Sequence, residues 1–175
     1  MEWKNNVIHG LGKFFIGKRI IEGKEYVNEL LFEGEYVDGE RWNGKGKEYN
    51  DNGKLEFEGE YLNGKRNGKG KEYDYNGELT FEGEYLTGER NGKGKEYQYG
   101  KLIFEGEYLN GKKWNGKGKE YYKDGELLFE GEYLNGEKWN GKGKEYNDNG
   151  KLEFEGEFLN GKRNGKGKNI MKMVN

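Results

Sequence analysis

The stretch FEGEYLNGKRNGKGKEYDYNGELTFEGEY occupies residues 57–85 and contains two Asn-Gly pairs, each between runs in which aromatic or glycine residues alternate with charged ones. Asn-Gly adopts the positive backbone angles of tight hairpin turns, and strict alternation gives a strand two different faces. Each half of the stretch is short and interrupted by glycine, which disfavours a helix. The stretch therefore predicts two consecutive antiparallel hairpins.

Counting outward from the two turns predicts which residues face each other. The turn Asn63-Gly64 gives the pairs Gly59 with Gly68, Glu58 with Lys69 and Phe57 with Gly70. The turn Asn76-Gly77 gives the pairs Lys71 with Glu82, Gly70 with Gly83 and Gly68 with Tyr85. Both turns predict one face of opposite charges, worth roughly 0.2–1 kcal/mol for each pair, and one face where aromatic rings cover glycines.

The same unit recurs along the chain. The phrase FEGEY or FEGEF begins at Phe32, Phe57, Phe81, Phe104, Phe129 and Phe154, at intervals of 23 to 25 residues. A divergent copy at 11–26 precedes them. Because a recurring interval of this length indicates a repeat array, we predict an all-β, single-layer antiparallel meander of stacked hairpins, elongated and curved.

We expect a single repeat domain over residues 1–175. Residues 1–31 form its divergent N-terminal repeat, residues 32–168 form six repeats of about 24 residues, and residues 169–175 form a C-terminal cap. The apolar end residues suit a strand that closes an open sheet edge, and a homodimer contact is the alternative. These residues are Ile170, Met171, Met173 and Val174.

Three copies of the repeat carry one extra residue, and it is tryptophan each time: Trp42, Trp114 and Trp139. Plain counting outward from the turn of the first of these copies would no longer place a lysine opposite Glu33. A β-bulge at Trp42 or its neighbour Arg41 returns Glu33 to a position opposite Lys45, and the same repair works in the other two copies. We therefore predict a bulge in each of the three hairpins.

The glutamate that follows each NGKGK motif has an ambiguous orientation. These residues are Glu48, Glu72, Glu96, Glu120 and Glu145. Strict alternation places them on the aromatic face, where a carboxylate is costly to bury without partners. Either the strand ends or twists before each glutamate, or the glutamates line a groove, and the sequence leaves both alternatives open.

The composition excludes most catalytic chemistry. The chain has no Ser and no Cys, its only other side-chain alcohols apart from Tyr are Thr80 and Thr87, and His9 is its single histidine. The common nucleophiles and Cys/His metal sites are therefore missing. Pairs of glutamates are inevitable in a Glu-rich repeat, and GKGK lacks the Ser/Thr ending of a phosphate-binding loop. We predict that the protein is not an enzyme and needs no cofactor.

The remaining bulk properties favour a soluble, ordered protein. Aromatic residues make up 15% of the chain, which argues against disorder, and the formal net charge is −2. The sequence shows neither a signal peptide nor an apolar run of about 18 residues. We therefore predict a cytoplasmic protein, with peripheral attachment to a membrane as the alternative.

The unit from Phe57 to Gly70, in which aromatic, glycine and aromatic residues alternate before GKRNGKG, resembles the MORN repeat (membrane occupation and recognition nexus). The resemblance extends over about residues 10–168, with six clear copies and one faint copy. The chain departs from the commonest form by using Asn where the family often has His, and GKLEFEGEYLNGK also resembles the variant repeats of bacterial antitoxin-like proteins. The resemblance implies a curved sheet of hairpins and roles in scaffolding, dimerisation and membrane attachment, with phosphoinositide binding often proposed.

Two groups of aromatic residues are candidate partner-binding sites. The inserted tryptophans stand beside basic residues, as at many protein hot spots, and an open aromatic face could accept a peptide. The candidates are Trp42, Trp114, Trp139, Tyr61, Tyr85, Tyr108 and Tyr133. The alternatives are that each indole folds over a neighbouring glycine or stacks on a basic neighbour, and that the tyrosines form the core.

One edge of turns is rich in basic residues and is a candidate lipid-binding site. It carries Arg41, Lys65, Arg66, Arg90, Lys112, Lys113, Lys138, Lys162 and Arg163. Hairpin tips about 10 Å apart could meet successive anionic headgroups. Three glutamates interrupt the row, so the alternative is a charge-balanced surface that serves solubility.

The leading hypothesis is a non-catalytic repeat scaffold that binds a protein partner. The alternative from another class is a peripheral membrane module that binds anionic phospholipid through the basic edge. A further alternative is an antitoxin-like protein that neutralises a partner toxin. We expect no nucleic acid partner.

Overall fold

A computed structural model describes residues 2–4, 7–16, 19–21, 24–26, 29–121, 125–146 and 151–164. Within these ranges the chain forms sixteen strands and no helix. The strands are β1 (Glu2–Lys4), β2 (Val7–Ile16), β3 (Arg19–Ile21), β4 (Lys24–Tyr26), β5 (Glu29–Val37), β6 (Glu40–Tyr49), β7 (Leu55–Leu62), β8 (Lys65–Tyr73), β9 (Leu79–Leu86), β10 (Glu89–Gln98), β11 (Lys101–Leu109), β12 (Lys112–Tyr121), β13 (Leu127–Leu134), β14 (Glu137–Tyr146), β15 (Leu152–Leu159) and β16 (Lys162–Asn164). The cap predicted at 169–175, with Ile170, Met171, Met173 and Val174, lies outside the described residues.

Among the described strands, fourteen form one sheet in the order β1-β2-β5 and then β6 to β16 in sequence, while β3 pairs with β4. All pairings are antiparallel, and from β5 onward strands that are adjacent in sequence are adjacent in the sheet. This open meander of consecutive hairpins confirms the predicted fold class. The sheet has two edges of turns, and we call the one with the tight turns at residues 38–39, 63–64, 87–88, 110–111, 135–136 and 160–161 the Asn-Gly edge.

The turns at the Asn-Gly edge have the geometry that their sequences predict. In each turn a residue with φ near +50° precedes a glycine with positive φ, and these first residues are Asp38, Asn63, Thr87, Asn110, Asn135 and Asn160. Positive angles at both positions define the type I′ turn, which matches the twist of a hairpin. Asn and Asp tolerate this conformation, whereas a β-branched residue adopts it at a steric cost.

Thr87 is therefore a point of local strain, and we expect Thr87→Asn to stabilise the protein. Its φ of 51° lies in the left-handed region, where most residues lose roughly 1–2 kcal/mol and asparagine loses less. The gain should be about 1 kcal/mol, or a rise of about 2–4 °C in the melting temperature measured by circular dichroism. The reverse change Asn63→Thr is the matched control and should lower the melting temperature by a similar amount. An unchanged or lower melting temperature for Thr87→Asn would contradict the strain argument.

The register predicted from Asn76-Gly77 is confirmed, because Lys71 faces Glu82 and Gly70 faces Gly83. The two-residue turn from which it was counted is wrong, since β8 ends at Tyr73, β9 begins at Leu79, and Asn76 does not have a positive φ. The register predicted from Asn63-Gly64 is wrong by two residues. The observed pairs are Gly59 with Gly70, Glu58 with Lys71 and Phe57 with Glu72. Because the slip is by two residues, each side chain stays on its predicted face.

A bulge stabilised by a carboxylate accounts for the two extra residues. Tyr61 faces Arg66 while Gly59 faces Gly70, so that residues 67–69 lie opposite Glu60 alone. Glu60 Oε2 accepts a hydrogen bond from the backbone N–H of Lys69 at 3.0 Å. A Cβ atom at residue 68 would lie 2.1 Å from that oxygen, and the φ of this residue is +83°, so the bulge requires glycine. Glu84 stabilises the same bulge in the next hairpin.

The tryptophan-bearing hairpins use a bulge of one residue, as predicted. Glu33 faces Lys45, Glu35 faces Asn43 and Tyr36 faces Arg41, which leaves Trp42 as the extra residue. Trp114 and Trp139 are the extra residues of their own hairpins. In each strand that carries one of these tryptophans, the glycine that pairs with the following strand consequently lies two residues after the glycine that pairs with the preceding strand. In β6, for example, Gly44 pairs with the preceding strand and Gly46 pairs with the following one.

One face of the sheet buries its own aromatic rings and forms the core. The buried side chains are Phe32, Tyr36, Phe57, Tyr61, Phe81, Tyr85, Phe104, Tyr108, Phe129, Tyr133, Phe154 and Phe158, each at most 8% exposed. Neighbouring rings meet edge to face, with ring centres 5.1–5.9 Å apart. Each phenylalanine lies directly on glycine backbone, since a Cβ atom at Gly59 would come within 2.6 Å of the Phe57 ring. Glycine thus allows a one-layer sheet to have a core.

Candidate functional site

The glutamates of uncertain orientation lie on the aromatic face, where they accept hydrogen bonds from the next two hairpin strands. Glu72 accepts the hydroxyl of Tyr85 at 2.7 Å and Nε of Arg90 at 3.3 Å, and it forms an ion pair with the same arginine. The equivalent clusters are Glu48 with Tyr61 and Arg66, Glu96 with Tyr108 and Lys113, and Glu120 with Tyr133 and Lys138. In the last cluster Glu145 pairs with Arg163, and Phe158 stands in place of the tyrosine and offers no hydroxyl.

The basic member of each cluster lies over the phenylalanine of the same hairpin. Arg66 lies 4.0 Å from the ring centre of Phe57, and Arg90 lies 4.1 Å from that of Phe81. Lys113, Lys138 and Arg163 occupy the same place at 5.0–5.2 Å. A cation over a ring face is attracted by the ring quadrupole, and here it also shields the ring from water. Each cluster therefore closes the aromatic face from above.

The clusters shift the pKa values of their titratable groups. Burial raises the pKa of Glu72, but hydrogen bonds from Arg90 and Tyr85 and the charges of Arg90 and Arg66 lower it more, so that the net pKa lies below its usual value. The same causes lower the pKa of Glu48 and Glu120. Burial, followed by the hydrogen bond to Glu72, raises the pKa of Tyr85. The ionised carboxylate and the neutral phenol are thus the stable forms in the folded protein.

The first cluster of the array is incomplete. Phe14 pairs with Phe32 in the position where Glu48 pairs with Phe57, so the carboxylate is replaced by a ring. The hydroxyl of Tyr36 is buried and finds no hydrogen-bond partner in the structure as described. Burial correspondingly raises the pKa of Tyr36. In the later repeats, the glutamates therefore supply the hydrogen-bond acceptor that the buried tyrosine hydroxyl of the first repeat lacks.

The aromatic candidates for partner binding lie mostly inside the sheet. Tyr61, Tyr85, Tyr108 and Tyr133 are 3–8% exposed and donate their hydroxyls to the cluster glutamates. They form the core, which is the alternative that the sequence left open. The aromatic face is therefore a closed surface and not an open peptide groove.

The inserted tryptophans are half-buried against the turn of the following hairpin. A Cβ atom at Gly64 would lie 3.7 Å from Cε3 of Trp42, and Trp114 and Trp139 lie equally close to Gly136 and Gly161. The carbonyl of Trp42 accepts a hydrogen bond from the N–H of Gly64 at 3.0 Å. Asn43 adds a second bond, from the N–H of Asn63 to its Oδ1 at 2.9 Å. Hairpins without tryptophan form the same bond between turns, as from the N–H of Gly88 to the carbonyl of Arg66. Each insertion therefore adds the indole contact and the asparagine bond to a connection that the other hairpins also make.

The basic residues proposed for lipid binding divide into two groups. Arg66, Arg90, Lys113, Lys138 and Arg163 pair with glutamates on the aromatic face, and Arg41 lies over Phe32 and donates to the carbonyl of Lys47 at 3.1 Å. Lys65, Lys112 and Lys162 remain exposed at the Asn-Gly edge. Adjacent residues of a strand point to opposite faces, which explains why Lys65 is exposed while Arg66 is not.

A row of exposed leucines at the Asn-Gly edge was missed by the sequence reasoning. We call it the leucine rim, and it consists of Val37, Leu62, Leu86, Leu109, Leu134 and Leu159, each paired with the first residue after the turn. The leucines are 37–50% exposed. Their position one residue after each core aromatic places them on the charged face, and this parity could have revealed them.

The charges on the leucine rim alternate in sign from one hairpin to the next. The residues that face Val37 and the five leucines are, in order, Glu40, Lys65, Glu89, Lys112, Glu137 and Lys162. All six are exposed. The edge is therefore a balanced pattern of charge and not a basic stripe.

The face opposite the aromatic rings forms a concave groove of about 840 Å³ that crosses β5 to β11. We call it the Lys/Glu groove, because lysines on β6, β8 and β10 alternate with glutamates on β7, β9 and β11. Lys45 pairs with Glu60 at 3.6 Å and Lys95 pairs with Glu105 at 3.5 Å, as the cross-strand register predicts. Glycines of the same strands, among them Gly59, Gly70 and Gly83, also line the groove.

The described part of the chain contains neither a metal-binding cluster nor a membrane-spanning helix. Within it, no group of three or more His, Asp or Glu side chains is placed to hold a metal ion. Over the same residues, no helix has the length and hydropathy needed to span a bilayer.

Two related family models match different stretches of the chain, and one of them matches the stretches that begin with an inserted tryptophan. A model of the MORN repeat matches residues 2–16, 57–78, 81–98 and 154–168, and a model of a MORN repeat variant matches residues 42–63, 114–135 and 139–160. Each variant match begins at the extra residue of a one-residue bulge, namely Trp42, Trp114 or Trp139, and runs through the next strand to the turn that follows it. A comparison with curated proteins found no match. MORN repeats are generally non-catalytic and occur in modules that bind proteins or membrane lipids. Because the two models together match well over half of its residues, the chain belongs to the MORN repeat family.

Proposed function

We propose that this chain is a non-catalytic scaffold that binds a segment of a protein partner in the Lys/Glu groove. The observation that carries the proposal is the groove itself, an open concave surface with charges of both signs at fixed positions. The aromatic face, by contrast, is closed by its own side chains. The groove is thus a surface that is available to a partner.

The pattern of charge in the groove favours a protein over a lipid surface. Glu60 and Glu84 are engaged by the backbone N–H groups of Lys69 and Lys93. The ammonium groups of these two lysines are exposed, and neither forms an ion pair within the described residues. Carboxylates and free ammonium groups on alternate strands can select a partner whose charges follow the same order, because electrostatic complementarity gives specificity and register.

The membrane alternative has less support from the same structure. An anionic leaflet attracts clusters of basic residues, each worth about 1 kcal/mol near the surface. Five of the nine basic residues proposed for this role are paired with glutamates on the aromatic face. The three that remain exposed on the leucine rim alternate with three glutamates, which would be repelled by the same leaflet.

A matched pair of charge-reversal variants tests the proposal. Lys69→Glu/Lys93→Glu alters the groove, whereas Lys117→Glu/Lys142→Glu alters the same position of the repeat beyond the groove. All four lysines are exposed and face a glutamate in the register, so both variants should have similar stability. We expect the groove variant to retain at least about tenfold less of a partner captured from extract of the source cells than the wild type retains. The control should retain as much as the wild type.

Flotation with phosphatidylserine vesicles and with neutral vesicles distinguishes the alternatives. A scaffold that binds protein should not float with either vesicle. Flotation of the wild type with phosphatidylserine vesicles alone, lost on Lys65→Glu/Lys112→Glu, would overturn the proposal in favour of the membrane module. Equal capture by the groove variant and the control would also overturn it, because the groove would then not be the binding surface.

A further inference from the structure

We infer that the Lys/Glu groove receives an acidic segment of its protein partner, whose carboxylates bind lysines in the middle of the groove. The inference rests on the proposed function and adds the chemistry of the partner to it. The charges that line the groove are balanced, with six lysines and six glutamates. The two signs differ because the protein itself supplies a partner to every one of these glutamates, but not to every lysine.

Each glutamate that lines the groove accepts a hydrogen bond or an ion pair from the described part of the chain, at distances of 2.6–3.5 Å. The pairs are Glu58 with the hydroxyl of Tyr73, Glu60 with the N–H of Lys69, Glu82 with the hydroxyl of Tyr97, Glu84 with the N–H of Lys93, Glu105 with Lys95, and Glu107 with the amide of Asn115. These bonds hold carboxylates close to the sheet, and Glu58, Glu60 and Glu82 are half-buried. A cation that entered the groove would have to compete with these donors.

Three lysines of the groove are exposed and form no ion pair within the described residues: Lys69, Lys71 and Lys93. Lys71 faces Glu58 on one side and Glu82 on the other, but both carboxylates bind tyrosines instead. An ammonium group has three hydrogen-bond donors and no acceptor, so its natural ligand is an anionic oxygen. The groups that the groove offers to a ligand are therefore cationic, although its total charge is balanced.

The spacing of the lysines suits an extended acidic segment that crosses the strands. Lys69 and Lys71 lie on β8 and Lys93 lies on β10, two strands or about 10 Å away. In a polyproline II chain every third residue returns to the same side after about 9 Å, so acidic residues at every third position match these rows. The glutamates of β9 lie between the two rows and would repel an acidic residue there, which fixes the register of the segment.

The same arrangement favours a peptide segment over an anionic membrane. The lysines line a concave surface, which a flexible chain can follow and a flat bilayer cannot enter. Beyond contact distance the equal numbers of lysines and glutamates cancel, so the groove has no long-range attraction for a charged leaflet. Recognition then depends on direct contact between carboxylates and ammonium groups.

Fluorescence anisotropy with a labelled peptide tests the inference on the full chain. The groove crosses six strand spacings, or about 29 Å, which corresponds to about nine residues of extended peptide. The probe is three repeats of Glu-Ser-Ser, and the control peptides carry Gln or Lys in place of Glu. We expect the Glu peptide to bind at low ionic strength and both control peptides to bind at least about tenfold more weakly. Added salt should weaken the binding of the Glu peptide, because it screens exposed charges.

Two variants that remove the same amount of charge locate the binding. Lys69→Gln/Lys71→Gln/Lys93→Gln neutralises the groove, and its control on the leucine rim is Lys65→Gln/Lys112→Gln/Lys162→Gln. All six lysines are exposed, so both variants should keep the melting temperature of the wild type. We expect the groove variant to lose at least about tenfold in affinity for the Glu peptide, while the rim variant keeps the affinity of the wild type.

Three results would overturn the inference. The first is a Glu peptide that shows no binding to the wild type at about 1 mM. The second is a Lys peptide that binds as tightly as the Glu peptide, because the groove would then offer its carboxylates to a ligand. The third is an equal loss in the two variants, because binding would then depend on net charge and not on the groove.

These results are separate from those of the capture experiment. Partner capture that is lost in Lys69→Glu/Lys93→Glu, together with a Glu peptide that does not bind, would overturn the inference alone and leave the groove with a partner of other chemistry. Partner capture that is equal in that variant and its control would overturn the proposed function, whatever the peptide does.

Discussion

Replacement of Gly83 by alanine is expected to lower the free energy of unfolding by at least about 3 kcal/mol. A Cβ atom at this position would lie 2.6 Å from Cζ of Phe81 and 2.7 Å from both Cα of Gly94 and the carbonyl oxygen of Lys93. Two of these three atoms belong to the backbone and cannot move without breaking the strand pairing. The ring of Phe81 is fully buried, and it cannot retreat without exposing the core.

Urea denaturation followed by tryptophan fluorescence measures this effect. Each hairpin of a repeat array contacts only its neighbours, so we expect the lesion in β9 to uncouple the two halves and to broaden the transition or split it. Gly77→Asn is the control, because nothing lies near a Cβ atom at that position and asparagine tolerates its φ of +87°. A loss for Gly83→Ala no greater than for the control would show that the ring does not depend on the bare glycine backbone.

Glu72→Gln is expected to lower the free energy of unfolding by about 2–3 kcal/mol. The carboxylate binds Tyr85 and Arg90, and Arg66 lies 3.9 Å away from it. The side chains of Glu72 and Arg90 are only 22% and 24% exposed, so water cannot fully replace the lost charge. Glutamine has nearly the same shape, and the measured loss should therefore report the charge and not the packing.

Glu105→Gln is the matched control for this substitution. Glu105 also forms an ion pair, with Lys95 at 3.5 Å, but their side chains are 58% and 43% exposed. Exposed pairs of this kind contribute about 0.2–1 kcal/mol, so the control should lose much less stability. Equal losses in the two variants would contradict a special role for the cluster.

The pH dependence of the Glu72 effect provides a second check. The pKa of Glu72 is lower in the folded protein than in the unfolded chain, because hydrogen bonds and charges from Arg90, Tyr85 and Arg66 outweigh burial. The contribution of Glu72 to the free energy of unfolding is therefore complete above the ordinary glutamate pKa of about 4.3. It is lost as the pH falls through the lower pKa of the folded state. We expect the difference between wild type and Glu72→Gln to narrow below about pH 4. A difference that stays constant down to pH 2 would show that shape, and not charge, was lost.

The sequence predicted those features of the fold that depend on turns and on alternation. The tight turns of the Asn-Gly edge and the pairing of Lys71 with Glu82 follow from local chemistry, and the structure confirms both. The tight turn predicted at Asn76-Gly77 is wrong, because the strands on either side of it end at Tyr73 and begin again at Leu79. The register around Asn63-Gly64 could not be predicted by counting, because NGKGK repeats glycine and lysine with a period of two. A slip of two residues keeps a glycine opposite Gly59 and a lysine opposite Glu58, so counting does not separate the two registers at these positions. The observed register places Glu72 opposite Phe57 and contains the bulge held by Glu60.

The clusters of the aromatic face show a different limit of sequence reasoning. Alternation correctly placed Glu72 beside the rings, but burial of one carboxylate is favourable only with partners that come from two other strands. Those partners were visible in the sequence as separate tyrosine and arginine positions, and Arg90 was grouped with exposed residues because it lies next to a turn. Its contact with a glutamate 18 residues earlier becomes apparent once the strands are paired in space.

The tryptophan insertions also determine the large-scale geometry of the array. In closed β-barrels, the stagger of the hydrogen-bond register between strands, called the shear, determines the tilt of the strands. The same stagger can be counted along an open sheet. Each tryptophan strand adds two residues of shear, whereas β8 and β10, which lack tryptophan, add none. The three insertions together slant the sheet by about 20 Å along its strands. An array of this family can thus change its pitch through single-residue insertions, without altering the number of its repeats or the composition of either face.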